Sequence, residues 1–332
     1  MKLHWQIVKL QLKETFAIAY GNYTFREALI ITLEKNSERG YGECTSIDYY
    51  HINLADFNHI LEKIKFQIEV QSIIHPSNFY TLLVQLNLPS FLRSAIDCAY
   101  WDLFGKLEKK SFLALNNINY NQLPDSSITI SIDLVENQIK KMKQSSWTKF
   151  KVKCNHFDKN DIAKLLQSDK NLALDSNGSF TKNDCTWLEN NDMISKFTYL
   201  EQPMKMGIEN YVNLNSSKFA NWMADEDCQD SLILKDLVAH YKSINIKLVK
   251  CGGLTPALEM ITVAKELGFK IMIGCMTEST IGISAGAVLA PFCDYVDLDG
   301  ANLIANDIAI GSEVINGKIH LNENYGLGIK IN

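Results

Sequence analysis

The sequence predicts an α/β protein built on a modified (β/α)7β-type TIM barrel and capped by a smaller α+β domain. Two observations carry that prediction. Eight short apolar segments recur between residues 127 and 298, each followed by a helical stretch, at a spacing of roughly 20 to 30 residues, the length of one βα unit. Polar residues return at the C-terminal ends of those segments, the face on which a parallel barrel assembles its site. The chain has 332 residues, 46% hydrophobic and 21% charged. A barrel alone needs about 250 residues, so a second, smaller unit is expected.

The elements follow in order. The apolar run 29–33 and the stretch after Gly40-Tyr41-Gly42 read as neighbouring antiparallel strands. Phe57, Ile60, Leu61, Ile64 and Ile68 fall at helical spacing over residues 55–70. A second helix spans 90–107, opened by Pro89 and closed near Gly105, with Ala95, Ala99 and Trp101 for close packing. The barrel strands are predicted at 127–132, 149–153, 172–174, 197–201, 221–224, 244–249, 270–274 and 295–298. Thr255-Pro256 opens the helix after the sixth strand and Gly268 closes it. Gly252-Gly253 reads as a tight turn before it, since no Lys-Ser/Thr follows to make a phosphate loop. The helix after the seventh strand, 283–290, is rich in small residues. Asn316-Gly317 marks a hairpin in the tail. The expected domains are 1–122 (cap), 123–310 (barrel) and 311–332, a segment returning to the cap.

Charge and composition exclude several classes. Net charge is −5, and no basic or basic–aromatic stripe is present, so nucleic acid is not expected as a partner. No run approaches the roughly 18 apolar residues of a membrane span. Lysines and a glutamate interrupt the N-terminal stretch, which lacks the apolar core of a signal peptide. Eight cysteines without CxxC spacing read as reduced thiols of a cytoplasmic protein. A homo-oligomer remains open.

The chemistry is read from the strand ends. Lys151 and Lys153 are two apart on the second strand and point to one side, the barrel interior. Asp175, Glu201 and Asp225 end strands three, four and five. Converging carboxylates repel, and an all-oxygen set resolves that conflict with Mg²⁺, or Mn²⁺, rather than Zn²⁺. Lys247 leaves strand six, well round the barrel from Lys153. A substrate between them offers one face of its α-carbon to each lysine, with their pKa values expected to fall toward neutrality. Asp297 and Asp299 sit on strand eight and Glu278 beyond strand seven. Each residue has an ordinary role too: edge-strand lysine, helix-capping aspartate or turn carboxylate.

Taken together, KVK (151–153), LDSN (174–177), EQP (201–203), ADE (224–226) and NIKLVKCGG (245–253) resemble the muconate-lactonizing subgroup of the enolase superfamily. SAIDCAYWDLFGK (94–106) and GYGEC (40–44) resemble its capping domain and domain interface. The match spans nearly the whole chain in order. Within the subgroup, Asp297-Leu298-Asp299 and GCMTES (274–279) resemble the dipeptide epimerases. The resemblance implies an isomerase of murein-peptide metabolism that epimerises the C-terminal residue of a dipeptide, foremost L-Ala-D/L-Glu. It implies Lys153 and Lys247 as acid/bases, Lys151 as partner to the substrate carboxylate, and Asp175, Glu201 and Asp225 as Mg²⁺ ligands. Asp297 and Asp299 would hold the α-ammonium and Thr129 the dipeptide backbone. Asn177, Glu226 and Glu278 stand behind them.

Two departures bear on specificity. Gly178-Ser179-Phe180 replaces the usual Gln-Gly-Trp after the first metal ligand. Where such epimerases carry an arginine for the distal carboxylate, this chain has Tyr20, with Arg26 and His51 nearby as substitutes. The rival readings are o-succinylbenzoate synthase, muconate cycloisomerase and N-acylamino acid racemase, whose substrates lack a free α-ammonium. A non-enzymatic reading is an inactive barrel that only binds a dipeptide.

Overall fold

The computed structural model describes residues 1–215 and 219–332. The chain opens with an antiparallel meander: β1 (Lys2–Ile18), β2 (Gly21–Lys35) and β3 (Glu38–Thr45). Helices α1 (Leu54–Glu69), α2 (Pro76–Gln85) and α3 (Ser90–Glu108) follow and cover one face of the sheet. The buried positions of α1 are Leu54, Phe57, Leu61, Ile64 and Ile68, the helical stripe seen in the sequence. β1 and α2 were not expected from the sequence. In α2 only Pro76, Phe79 and Leu83 are buried, too short a stripe to show as a period.

Gly40 and Gly42 do more than punctuate. Both lie within β3, where a Cβ would collide with the backbone of α3 at Ala99 and Ala95. The missing side chains let helix and strand touch, and α3 is buried on nearly all sides as a result.

Eight parallel strands form the barrel: β4 (Ile128–Ile130), β5 (Lys149–Lys153), β6 (Asn171–Asp175), β7 (Leu200–Glu201), β8 (Trp222–Ala224), β9 (Ser243–Lys247), β10 (Lys270–Gly274) and β11 (Tyr295–Asp297). They pair in sequence order from β4 to β11. A bridge between Ser126 and Val296 draws the two edges together, with the Ser127 amide donating to the Val296 carbonyl at 2.9 Å. Outward residues such as Phe150, Val152, Ile244 and Ile246 pack under the helices in the main core.

Several boundaries differ from the sequence reading: the fourth strand, expected over 197–201, is only Leu200–Glu201, and two other differences change the kind of element or its start. The sixth barrel strand stops at Lys247, and Leu248–Cys251 is a helical turn closed by the amides of Gly252 and Gly253 on the Leu248 carbonyl. Both glycines have positive φ, 101° and 126°, which the turn requires. The helix after β10 is Thr280–Ala287, beginning three residues early because Ser279 caps it on the Ile281 amide.

The cap and barrel meet through buried polar clamps. Asp97 of α3 accepts from the Thr255 amide (2.9 Å) and hydroxyl (2.8 Å), and Trp101 Nε1 donates to the same hydroxyl. The tail pairs β12 (Ala309–Ile310) with β15 (Lys330–Ile331), around the hairpin β13 (Glu313–Ile315) and β14 (Lys318–His320). Asn316 and Gly317 both have positive φ, as a type I′ turn demands. The tail touches α3, where the Leu327 amide donates to Asp102 and Lys106 to the Ile329 carbonyl. All eight cysteines are free thiols. Among the described residues, no helix is long and apolar enough to cross a membrane.

Candidate active site

The C-terminal strand ends bring the polar residues to one level. The ladder sets Lys153 beside Asp175 and Asp175 beside Glu201. Asp225 follows β8 directly. On the far wall Gly274 lies between Lys247 and Asp297. Its lack of a side chain leaves room for Asn245, against which a Cβ there would collide. Strand alternation explains the selection: Lys151 and Lys153 face inward while Phe150 and Val152 face the helices.

Each carboxylate is met by a cation or an amide. Lys153 Nζ donates to Asp175 Oδ2 at 2.5 Å and to Asn177 Oδ1 at 3.0 Å. Lys247 Nζ donates to Asp225 Oδ2 at 2.8 Å. Lys151 donates to Asp297 and lies 3.5 Å from Glu201 and 3.8 Å from Asp175. Asn245 donates to Glu201 Oε1 at 2.7 Å. Ser127 donates to Asp297 at 2.8 Å, and the Thr129 amide to Asp299 at 2.6 Å. All these carboxylates are buried.

The electrostatics show a site with more carboxylates than ammonium groups. Burial pushes Glu201 up to about 8, with Asp175 and Asp225 adding repulsion against the pull of Lys151. Burial likewise raises Glu226 to about 7 and Asp299 to about 6, the latter helped by Asp297. For Asp225 burial is outweighed by Lys247 and Lys250, which hold it well below the usual carboxylate range. Lys151 and Lys247 depart from the sequence expectation. Burial pulls both down, but Asp297, Glu201 and Asp175 for the first, and Asp225 for the second, hold them above their ordinary values. The lysines serve as counter-ions to these carboxylates.

The residues fit such a cation. Glu201 Oε2 is buried without a hydrogen-bond partner, and three carboxylates end adjacent strands as an all-oxygen donor set. Among the described residues no three of these groups converge as a ligand cluster in the structure, because Asp175 and Asp225 are turned to their lysines.

Most of these groups border a partly open cavity. Lys151, Lys153, Lys247, Thr129, Asn177, Asp225, Glu226, Asp297 and Asp299 line its barrel wall. The cap supplies Phe16, Ile18, Tyr20, Arg26, Ile47, Tyr49 and Tyr50. Tyr20 sits at the tip of the β1–β2 hairpin, stacks on Tyr49 at 4.4 Å, and donates to the Asn177 carbonyl (2.9 Å) and Glu226 (3.3 Å). It closes the cavity against the barrel. Arg26 is 5% exposed and lies over the Tyr23 ring at 3.5 Å, and its Nε is without a hydrogen-bond partner.

Four of the sequence-predicted residues do not line this cavity: Asp175 and Glu201, which are buried against Lys153 and Lys151, and His51 and Glu278. His51 is exposed, with φ of 53° ending a short 3₁₀ turn that carries it outside the lining. Glu278 is buried behind the strand ends, accepting from the Met276 amide at 3.0 Å. The sequence reading missed Asn245 and Lys250. Asn245 is two residues before Lys247 and so shares its inward face, a signal present in the strand period. Lys250 was hidden by placing it beyond a strand running to 249.

A parallel β/α barrel under an α+β cap, with buried lysines and carboxylates at its strand ends, defines the class. Residues 134–332 match the enolase C-terminal domain-like family, and the chain belongs to the enolase superfamily. It is 36% identical to an L-Ala-D/L-amino acid epimerase of Maribacter sp. over 95% of this chain and 94% of that one. It is 35% identical to a protein of the same name from Flavobacterium johnsoniae, over the full length of both. Among solved structures it resembles a dipeptide epimerase of Enterococcus faecalis complexed with Mg and L-Leu-L-Tyr. That likeness has a TM-score of 0.87 and 26% identity, covering 99% of this chain and 98% of that one.

Proposed function

We propose that this protein is a Mg²⁺-dependent dipeptide epimerase that moves the α-proton of the C-terminal residue between two lysines. The observation that carries the reading is the placement of Lys153 and Lys247 on opposite barrel walls, with Asp297 between them at the end of the strand beside Gly274 and Asp299 just beyond it. One lysine takes the proton from one face of the α-carbon and the other returns a proton to the opposite face. Asp175, Glu201 and Asp225 would hold the cation, which supplies positive charge at the substrate carboxylate when bound. Lys151 adds a fixed charge beside that carboxylate. Asp299, bordered by Asp297 and met by the Thr129 amide and the weak Cys275 thiol donor, is suited to an α-ammonium group.

The finer preference is for an acidic second residue, L-Ala-D/L-Glu. Arg26 supports it: a buried guanidinium that forms no ion pair among the described residues favours an anionic ligand. A broader tolerance is favoured by the apolar lining of Ile18, Ile47 and the tyrosines, and by the wider names of the Maribacter and Flavobacterium relatives.

Chiral chromatography after incubation with Mg²⁺ tests the reading across three substrate sets. These are L-Ala-X dipeptides, their N-acetylated forms, and the N-acylamino acids and cycloisomerase substrates. Epimerisation confined to the free-amine dipeptides is the expected result. Turnover of the acylated set alone would transfer the assignment to the racemase or cycloisomerase readings.

A further inference from the structure

Lys250 is the most enclosed cation of the site, with a side chain that is wholly inaccessible. Its ammonium has three N–H groups and three acceptors. It donates to the Asp225 carbonyl, to Asp225 Oδ1 at 2.7 Å and to the Asn245 carbonyl at 3.1 Å. All three protons are engaged by fixed groups, and Lys250 does not line the cavity. It is therefore no acid or base for a ligand there.

What it does is fix direction. Asp225 has two oxygens, and Lys250 holds Oδ1 away from the cavity. Oδ2 is left facing Lys247. The second anchor continues the same frame. Asn245, whose carbonyl Lys250 grips, donates through its side chain to Glu201 Oε1 and leaves Oε2 without a hydrogen bond, 3.5 Å from Lys151. One buried ammonium thus ties the backbone of β9 to the carboxylate after β8, with the carboxylate of β7 tied to the same residue of β9. The helical turn Leu248–Cys251, where the sequence suggested strand, is the device that swings Lys250 back under Asp225.

We propose that Lys250 is the positioning residue of the cation site, orienting Asp225 directly and Glu201 through Asn245 so that Asp225 turns Oδ2 toward Lys247 and Glu201 keeps Oε2 free of hydrogen bonds. This rests on the reading of Asp225 and Glu201 as cation ligands. Residues behind metal ligands typically set affinity by roughly 10- to 100-fold, and a ligand oxygen must be held to within about 0.5 Å to serve.

The test compares Lys250→Met, which keeps the length but no donor, with Lys250→Gln, which keeps a neutral donor. Mn²⁺ binding is measured by calorimetry and by its electron paramagnetic resonance spectrum, alongside thermal unfolding of the metal-free proteins. The expected result is folded variants in which Lys250→Met binds Mn²⁺ roughly 10- to 100-fold more weakly with an altered spectrum, and Lys250→Gln lies between it and the unaltered protein. Folded variants with unchanged affinity and spectrum overturn the proposal. So does failure of both variants to fold, which would make Lys250 a structural cation. If the unaltered protein binds no Mn²⁺, the ligand reading fails instead, and the two failures are told apart.

Discussion

Lys153 and Lys247 stand on strands four places apart in an eight-stranded ring, so they approach the cavity from opposite walls. Each holds a different carboxylate, Asp175 at 2.5 Å and Asp225 at 2.8 Å. Their opposition is a consequence of strand order alone. Any ligand carbon between them has one lysine on each face, which is the geometry of two-base proton transfer.

Removing one base should separate exchange from epimerisation. Lys153→Ala and Lys247→Ala are each expected to lower epimerisation by roughly 10²- to 10⁴-fold. Each variant should still exchange the α-proton of one diastereomer with solvent, and the two should differ in which one. Stereospecific deuterium incorporation by NMR reads this. Equal loss of exchange from both diastereomers in both variants would contradict the two-wall arrangement.

Burial, with repulsion from Asp175 and Asp225, raises Glu201 to about 8, and cation binding should offset both. Adding Mg²⁺ to chelator-treated protein is expected to raise Tm in a concentration-dependent way, because only the folded state assembles the three carboxylates. Glu201→Gln and Asp225→Asn should each abolish that rise. A variant with an undiminished Mg²⁺ response would remove that carboxylate from the ligand set.

Arg26→Leu should change selectivity more than rate. The expected result is a loss of roughly tenfold or more in kcat/KM for L-Ala-L-Glu, the scale of one charge-assisted hydrogen bond, with L-Ala-L-Leu changed far less. A parallel loss for both dipeptides would assign Arg26 to the packing of the cap against Tyr23.

The cap–barrel interface carries a pH dependence of its own. Glu43 accepts from the Ser279 and Gly282 amides and the Ser279 hydroxyl, yet burial pushes it up to about 7 from the ordinary 4.5. The folded value lies above the unfolded one, so its contribution is fully present below pH 4.5 and is lost as pH rises through 7. Unfolding free energy of the unaltered protein should therefore fall over that window. In Glu43→Gln the fall should be smaller, as denaturant titrations at a series of pH values would measure. An identical slope in the variant would contradict this.

The barrel was legible because its strands are short, apolar and evenly spaced, and because polar residues end them. Lys151, Lys153 and Lys247 could be assigned to the interior by the two-residue period alone. The period also placed Asn245 there, although an asparagine without charge drew no attention. Lys250 was not legible. Its place depends on the chain leaving β9 at Lys247 and curling, a turn closed locally by Gly252 and Gly253 on the Leu248 carbonyl but aimed at Asp225 by a tertiary bond that no local pattern shows. β1 carries the alternation of a strand, in Leu3, Trp5 and Ile7 and then Val8, Leu10 and Leu12, but its phase shifts at Ile7-Val8 and only Leu3, Leu10 and Leu12 are buried, so it was missed. The cap's contribution to the cavity, Tyr49 and Tyr50 above all, follows from how two units dock, which no local pattern encodes.

The most direct measurement is proton NMR in D₂O with Mg²⁺, begun separately from L-Ala-L-Glu and from L-Ala-D-Glu. The expected result is loss of the α-proton of the C-terminal residue from both, with convergence on one mixture of diastereomers. Retention of that proton in both, by folded protein with its cation bound, would contradict the proposed function.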